Sequence, residues 1–117
     1  MKVRHYTRVE KRDAFFKEKS SGVSMRVAIS EEDGARKVVM RILEIDPYGF
    51  TPMHAHSYEH AMFVIKGSGL VTDGKKECRL EKEDVLFIPS DQTHQIKNTG
   101  ESELILVSVL PLDNDKG

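Results

Sequence analysis

HAHSYEHAMFVI, residues 54–65, places three of the chain's five histidines within seven positions and runs directly into an apolar segment. An extended chain alternates its side chains with period two. On that spacing His54, His56, Tyr58, His60, Met62 and Val64 share one face, and Ala55, Ser57, Glu59, Ala61, Phe63 and Ile65 share the other. The histidine face continues into Met62 and Val64, so it is read as the interior face of a strand. Three imidazolium charges buried there would be very costly, so the rings are expected to be neutral and their lone pairs to need partners. A divalent metal is the usual partner for converging imidazoles. Ordinary buried, hydrogen-bonded histidines are the competing reading; that reading suits a lone histidine better than three in register. Positions 56 and 60 also fit a helix, but Pro52 before them and the β-branched and aromatic residues after them favour the strand.

Working outward, strand signals outnumber helix signals. The segments 22–30 (GVSMRVAIS), 37–45 (KVVMRILEI), 60–67, 84–89 (DVLFIP), 93–98 (THQIKN) and 103–110 (ELILVSVL) read as strands. Asp46-Pro47-Tyr48-Gly49 reads as the turn that ends the second of these. LVTDGKKECRL, 70–80, reads as a hairpin turning at Asp73-Gly74. Short strands at this spacing indicate an antiparallel sandwich or barrel. The first residues are ambiguous: Thr7 and Glu10 fit a capping box, whereas KEKSSG leaves little room for a packed helix and favours an extended arm. The expected organisation is an N-terminal arm (1–21), a barrel (22–112) and a C-terminal tail (113–117).

The composition suits one domain. The 117 residues carry a formal net charge of −1 with mixed signs throughout, so no basic patch points to nucleic acid. The apolar runs are far too short to span a membrane. MKVRHYTRVEKRD lacks the apolar middle of a secretory signal, and the one cysteine, Cys78, cannot form an intrachain disulfide. The cytoplasm is the expected location. A fourth metal ligand should come from a distant strand, and His94 is the remaining histidine inside the strand pattern; His5 lies in the terminal segment and is read as a surface residue.

The two histidine segments resemble the motifs of the cupin superfamily, G(X)5HXH(X)3–4E(X)6G and G(X)5PXG(X)2H(X)3N. In YGFTPMHAHSYEHAMFVIKG, His54 and His56 match the paired histidines, His60 occupies the glutamate position, and Gly67 follows it after six intervening residues. Pro89, His94 and Asn98 match the second motif. Tyr48, Glu83 and Asp91 stand where the family carries glycine. The resemblance covers about residues 22–112 and is closest to small single-domain cupins with a four-histidine metal site. It implies an all-β, cupin-type antiparallel β-barrel (a jelly roll) and one divalent transition metal, manganese, iron, nickel, zinc or copper, held by His54, His56, His60 and His94. It is poorly specific for reaction.

Four neutral donors leave a bound ion its full 2+ charge, which favours a small anionic or chelating ligand. Parity puts Glu59 on the outer face. Tyr58, on the ligand face, is the candidate proton donor, with packing at the barrel rim as the alternative. Arg26 and Arg41 suit a carboxylate, although surface salt bridging is the expected role for each. Gln92 or Gln95 could orient a ligand, exposure in the turn being the plainer reading. Met40, Met53, Met62 and Phe87 are expected to line an apolar cavity, and Cys78 to be structural. The leading functional expectation is a metal-dependent enzyme, oxygenase-type or isomerase/lyase-type, acting on a small oxygen-rich metabolite; a non-catalytic metal-bearing binding or sensor module is the rival. Segments 61–65 and 104–110 are apolar on both faces, so something covers their outer residues; the resemblance implies a homodimer.

Overall fold

The structure, a computed structural model, describes residues 1–14, 16 and 18–112; the expected tail, 113–117, lies outside them. Among the described residues, nine strands form one curled antiparallel sheet: β1 (Arg12–Asp13), β2 (Ser21–Ile29), β3 (Val38–Phe50), β4 (His60–Lys66), β5 (Gly69–Thr72), β6 (Glu77–Leu80), β7 (Val85–Ile88), β8 (Gln95–Lys97) and β9 (Leu104–Pro111). Hydrogen bonding runs β6-β5-β8-β3-β9-β4-β7, with β2 also on β3 and β1 on β2. This is the all-β barrel that the alternating segments call for. β3 pairs with β9 along residues 38–45 and reaches β8 at Phe50, so one long strand bends through both parts of the barrel.

The expected turn at residues 46–49 is a bulge within β3 instead. Between the pairs Val23–Ile45 and Ser21–Phe50, β2 spends one residue, Gly22, and β3 four. Pairing on either side holds both ends, so the extra length buckles outward rather than ending the strand. Tyr48 takes φ 64° there; Glu83 has φ 73° and Asp91 φ 63°. These are the three family-glycine positions that carry other residues, and each keeps the left-handed backbone at a steric cost. Gly67 keeps both the residue and the conformation: φ is 85°, and a Cβ would lie 2.3 Å from the Glu103 carbonyl oxygen. Asn98, 2% exposed, turns its Nδ2 toward the carbonyls of Ile45 (2.9 Å), Asp46 (3.1 Å) and Ser102 (2.9 Å), tying the bulge to the last hairpin.

The inner faces of the strands form the main core around Leu43, Ile45, Val64, Ile96, Leu104 and Leu106. A second cluster, Ala28, Ile42 and Ile105, lies on the outer side, and Tyr6, Met40, Ile65 and Val107 pack against it. The N-terminal segment therefore covers part of the outer face. It holds a 3-10 turn, Tyr6–Arg8, capped by His5 rather than Thr7, and the exposed His5 ring accepts from Thr7 N at 3.3 Å. Arg26 does not serve as a surface ion pair. It bonds buried Glu44 at 2.6 Å and the carbonyls of Val9 (2.7 Å) and Thr7 (3.1 Å), clamping the arm to the sheet. Phe63, Val85 and Phe87 stay exposed on the β4–β7 outer face, and Cys78 is exposed on β6.

Candidate metal centre

The histidine run is not one strand. Only His60 belongs to β4; residues 55–59 pair with no strand among the described residues, and His54 makes a single bridge to His94. Pro52 brings no donor, and a lone bridge cannot extend a ladder. The period-two alternation nevertheless survives: His54, His56 and Tyr58 are half-buried, His60 is buried, and Ala55, Ser57 and Glu59 are exposed. The two segments are stitched by backbone bonds, His54 N to His94 O at 3.1 Å, His94 N to His54 O at 2.9 Å, and Asp91 N to His56 O at 2.6 Å. The left-handed turn at Asp91 aims that last amide at the His56 loop.

Three rings, His54, His56 and His94, offer ring nitrogens within 4.8 Å of one another. His60 lies just outside this triad, with its ring centroid 5.4 Å from His56 and 5.3 Å from His94. Burial is the main force lowering all four pKa values. Neighbouring imidazoles add to it at His54, His56 and His60, and bring His54 and His60 down to about 4. The cluster is neutral near pH 7. His94 Nδ1 lies 2.8 Å from the Gln92 carbonyl, which only accepts, so the proton sits on Nδ1 and Nε2 carries the lone pair. His60 Nδ1 lies 3.3 Å from Ser108 Oγ, and its Nε2 is buried with no hydrogen-bond partner among the described residues. Leaving such an atom unsatisfied costs about 1–3 kcal/mol. A site of neutral imidazoles with one orphaned buried nitrogen fits a divalent transition metal.

The cavity at this cluster has a volume of about 230 Å³. Tyr58 lines it, stacked on His56 at 4.8 Å and 7°. Arg41 also lines it, contrary to its expected surface role, and its charge helps to lower His56 and His60. Of the expected apolar lining only Met62 is present. Met53 and Phe87 are 38% and 58% exposed, and Met40 packs in the outer cluster. Neither glutamine side chain reaches a ring: Gln95 Nε2 donates to Thr51 O at 2.9 Å and Gln92 Nε2 to Thr93 O at 3.0 Å. The Gln92 backbone does the orienting. Sequence reading missed Ser108, Phe16 and Glu18. Ser108 carried a signal, a lone hydroxyl at the parity of Leu106 and Leu110. Phe16 and Glu18 come from the arm, which has no periodicity to read; Phe16 meets His54 edge-on at 5.9 Å, and Glu18 Oε1 lies 3.9 Å from His54 Nδ1.

A curled antiparallel barrel with imidazoles converging at one end defines a class of β-barrels with a candidate metal site. The cupin domain family model matches residues 41–110, and the chain belongs to the cupin family. Auxin-binding protein 1 of Arabidopsis thaliana is 32% identical over 95 residues, covering 74% of this chain and 48% of its own length. The oxalate-binding protein of Thermotoga maritima is 28% identical over 71 residues, covering 60% and 59%. The chain thus spans about half the length of the curated relatives it matches. Among solved structures, the polyketide cyclase RemF of Streptomyces resistomycificus is 27% identical with TM-score 0.86, covering 96% of this chain and 80% of that one. A protein described as a predicted oxalate decarboxylase from Thermotoga maritima shares the fold at TM-score 0.83 and 22% identity, covering 95% and 99%.

Proposed function

We propose that this cupin is a metal-dependent enzyme acting on a small, oxygen-rich, anionic or chelating metabolite, with one divalent transition metal held by His54, His56, His94 and His60. The observation that carries the reading is the buried, partnerless Nε2 of His60 beside the three clustered rings. Once bound, the ion supplies a Lewis-acid and, for manganese, iron or copper, a redox centre. The chain's own residues hold and orient: the Gln92 carbonyl fixes the His94 tautomer, Ser108 Oγ takes the His60 Nδ1 proton in a hydrogen bond, and Phe16 narrows access from the arm. Tyr58, on the cavity wall, is the group we assign to proton donation.

Protein purified without chelator or nickel resin is expected to carry about one metal ion per chain by elemental analysis. His60→Ala should lower retained metal about tenfold or more, while changing the metal-free denaturation midpoint little. Metal content unchanged in His60→Ala would remove the fourth ligand. A second reading, non-catalytic binding, is favoured by the names of two relatives, an auxin-binding and an oxalate-binding protein. Keto acids, sugar acids and catechols, screened with and without oxygen, separate the two: saturable binding without turnover of any of them favours the binding module. We further infer a homodimer, because Phe63, Val85 and Phe87 expose a contiguous apolar strip on the outer face. Light scattering that returns the monomer mass at micromolar concentration would overturn it.

A further inference from the structure

The N-terminal arm starts on one side of the sheet and ends on the other. Along β2, Ser24, Arg26 and Ala28 share the outer face, and Val23 and Met25 share the inner one. On the outer side Tyr6 packs on the Ala28–Ile42–Ile105 cluster, and the Arg26 guanidinium carbon lies 5.7 Å from the centre of its ring. Arg26 also holds Glu44 and the Thr7 and Val9 carbonyls, and Lys11 Nζ reaches the other Glu44 oxygen at 3.5 Å. This latch is enclosed: the Arg26 and Glu44 side chains are 13% and 6% exposed. The chain then rounds the edge of β2. Arg12 and Asp13 pair with Met25 and Ser24, and Ala14 N donates to Val23 O at 2.9 Å. Beyond that bond Ala14 and Phe16 pack on the inner core, and Phe16 lines the histidine cavity and meets His54 edge-on.

Two residues of strand hold little alignment by themselves, because short edge pairings are marginal. Charge-assisted bonds in an enclosed place are stronger than the ladder bonds beside them. The outer latch therefore fixes how far the arm reaches round the edge, and with it how far Phe16 enters the mouth. Leu43, Met62 and Ile96 on the same lining belong to strands with neighbours on both sides. Phe16 is the part of the wall that a remote substitution can move. We propose that Phe16 is a specificity-determining residue, a stop that limits the ligand to a few heavy atoms, and that Arg26 is the positioning residue that sets this stop from the opposite face of the sheet. The ligand-binding half of the proposal rests on the metal-dependent reading above and narrows its substrate to compact chelating molecules. Size supports it, because about 230 Å³ is below the usual range for drug-sized ligands.

Two readouts on the full chain test it. The sequence has no tryptophan, so Phe16→Trp places a single fluorescent reporter at the mouth. Acrylamide should quench it less than it quenches free tryptophan, and adding Arg26→Met should raise the quenching constant about twofold or more. Arg26→Lys, which keeps the charge without the fork, should fall between. The second readout is the visible absorption of cobalt(II)-loaded protein titrated with acetohydroxamate and benzohydroxamate, chelators of one chemistry and two sizes. Wild-type protein is expected to prefer the smaller by at least about tenfold, and Phe16→Ala and Arg26→Met should each remove most of that preference. Phe16→Leu replaces Phe16→Ala, and Glu44→Gln replaces Arg26→Met, where the first variant is insoluble. If none of these is soluble, the wild-type preference decides. No preference in wild-type protein, a preference undiminished in either variant, quenching indifferent to Arg26, or a cobalt-loaded chain that binds neither hydroxamate would each overturn the proposal. Cobalt analysis of the same samples separates the two failures. A chain that takes up no cobalt refutes the metal reading, and the quenching readout alone then decides the role of Arg26. A cobalt-loaded chain whose size preference ignores Phe16 and Arg26 keeps the metal reading and refutes the stop.

Discussion

At the closed end of the barrel interior, Ile45, Val64, Leu104 and Leu106 are each 0% exposed. One row toward the mouth, about 7 Å along β9, the same inner faces carry Arg41 and Ser108, and the four imidazoles gather beside them. Both ends belong to the same strands. They differ in that the closed end is held by aliphatic burial, worth about 1.5–3 kcal/mol per large side chain. The open end instead buries polar groups, among them His60 Nε2, which has no hydrogen-bond partner among the described residues. Stability and chemistry are thus divided along the length of individual strands, and a substitution two residues away on one strand should act on a different property.

The largest effect should come from breaking the closed end. Leu106→Ala is expected to lower unfolding free energy by about 2–5 kcal/mol in urea denaturation, while metal stoichiometry of the folded fraction stays unchanged. A loss of metal parallel to the loss of stability would show the two ends are one unit. Acid should act on the open end next. His54 and His60 titrate near 6.5 when unfolded and about 4 when folded, so the unfolded chain binds more protons between those values. Metal-free protein is therefore most stable above pH 6.5 and loses stability as pH falls toward 4. A tenfold difference in one ring's proton affinity between the two states is worth about 1.4 kcal/mol, and less where solvent screens the ring. Urea midpoints measured from pH 7.5 to 4 should show this slope, and replacing His60 by alanine should flatten it. A midpoint independent of pH would mean that the rings are not buried neutral.

The smallest effect concerns Tyr48, a left-handed residue that lies outside both ends. Tyr48 is 66% exposed at φ 64°. Tyr48→Gly relieves about 1–2 kcal/mol of backbone strain and costs about 0.5–1 kcal/mol of chain entropy, for a net gain of about 0.5–1 kcal/mol. A thermal midpoint raised by a few degrees is the expected result; a lowered one would show that the tyrosine ring, not the backbone, matters at the bulge.

Much of the barrel was legible because its strands alternate and its turns carry Asp-Gly, Pro or Thr-Gly. The cluster was legible because alternation alone sets His54, His56 and His60 on one side, and His94 was the remaining histidine in a strand pattern. Pairing was not legible. Whether residues 55–59 find a neighbouring strand, and whether residues 46–49 turn or bulge, depends on partners distant in sequence. The inward place of Arg41 was visible in its parity with Val39 and Leu43, but an arginine reads by default as a surface residue. Phe16 and Glu18 left no trace, since an arm that lies across a barrel mouth needs no pattern of its own. Tyr48, Glu83 and Asp91 marked the family's glycine positions, yet their side chains gave no sign that the backbone keeps the glycine conformation.

The reciprocal pair of backbone bonds between His54 and His94 has a kinetic consequence. Two rings brought together from segments forty residues apart depend on two amides near the mouth, not on a continuous ladder. Local breathing of those amides can part the rings while the aliphatic layer beneath stays intact. Ion loading and release would then run on the clock of that small opening, far faster than global unfolding, and amide hydrogen exchange at the two positions would report its rate.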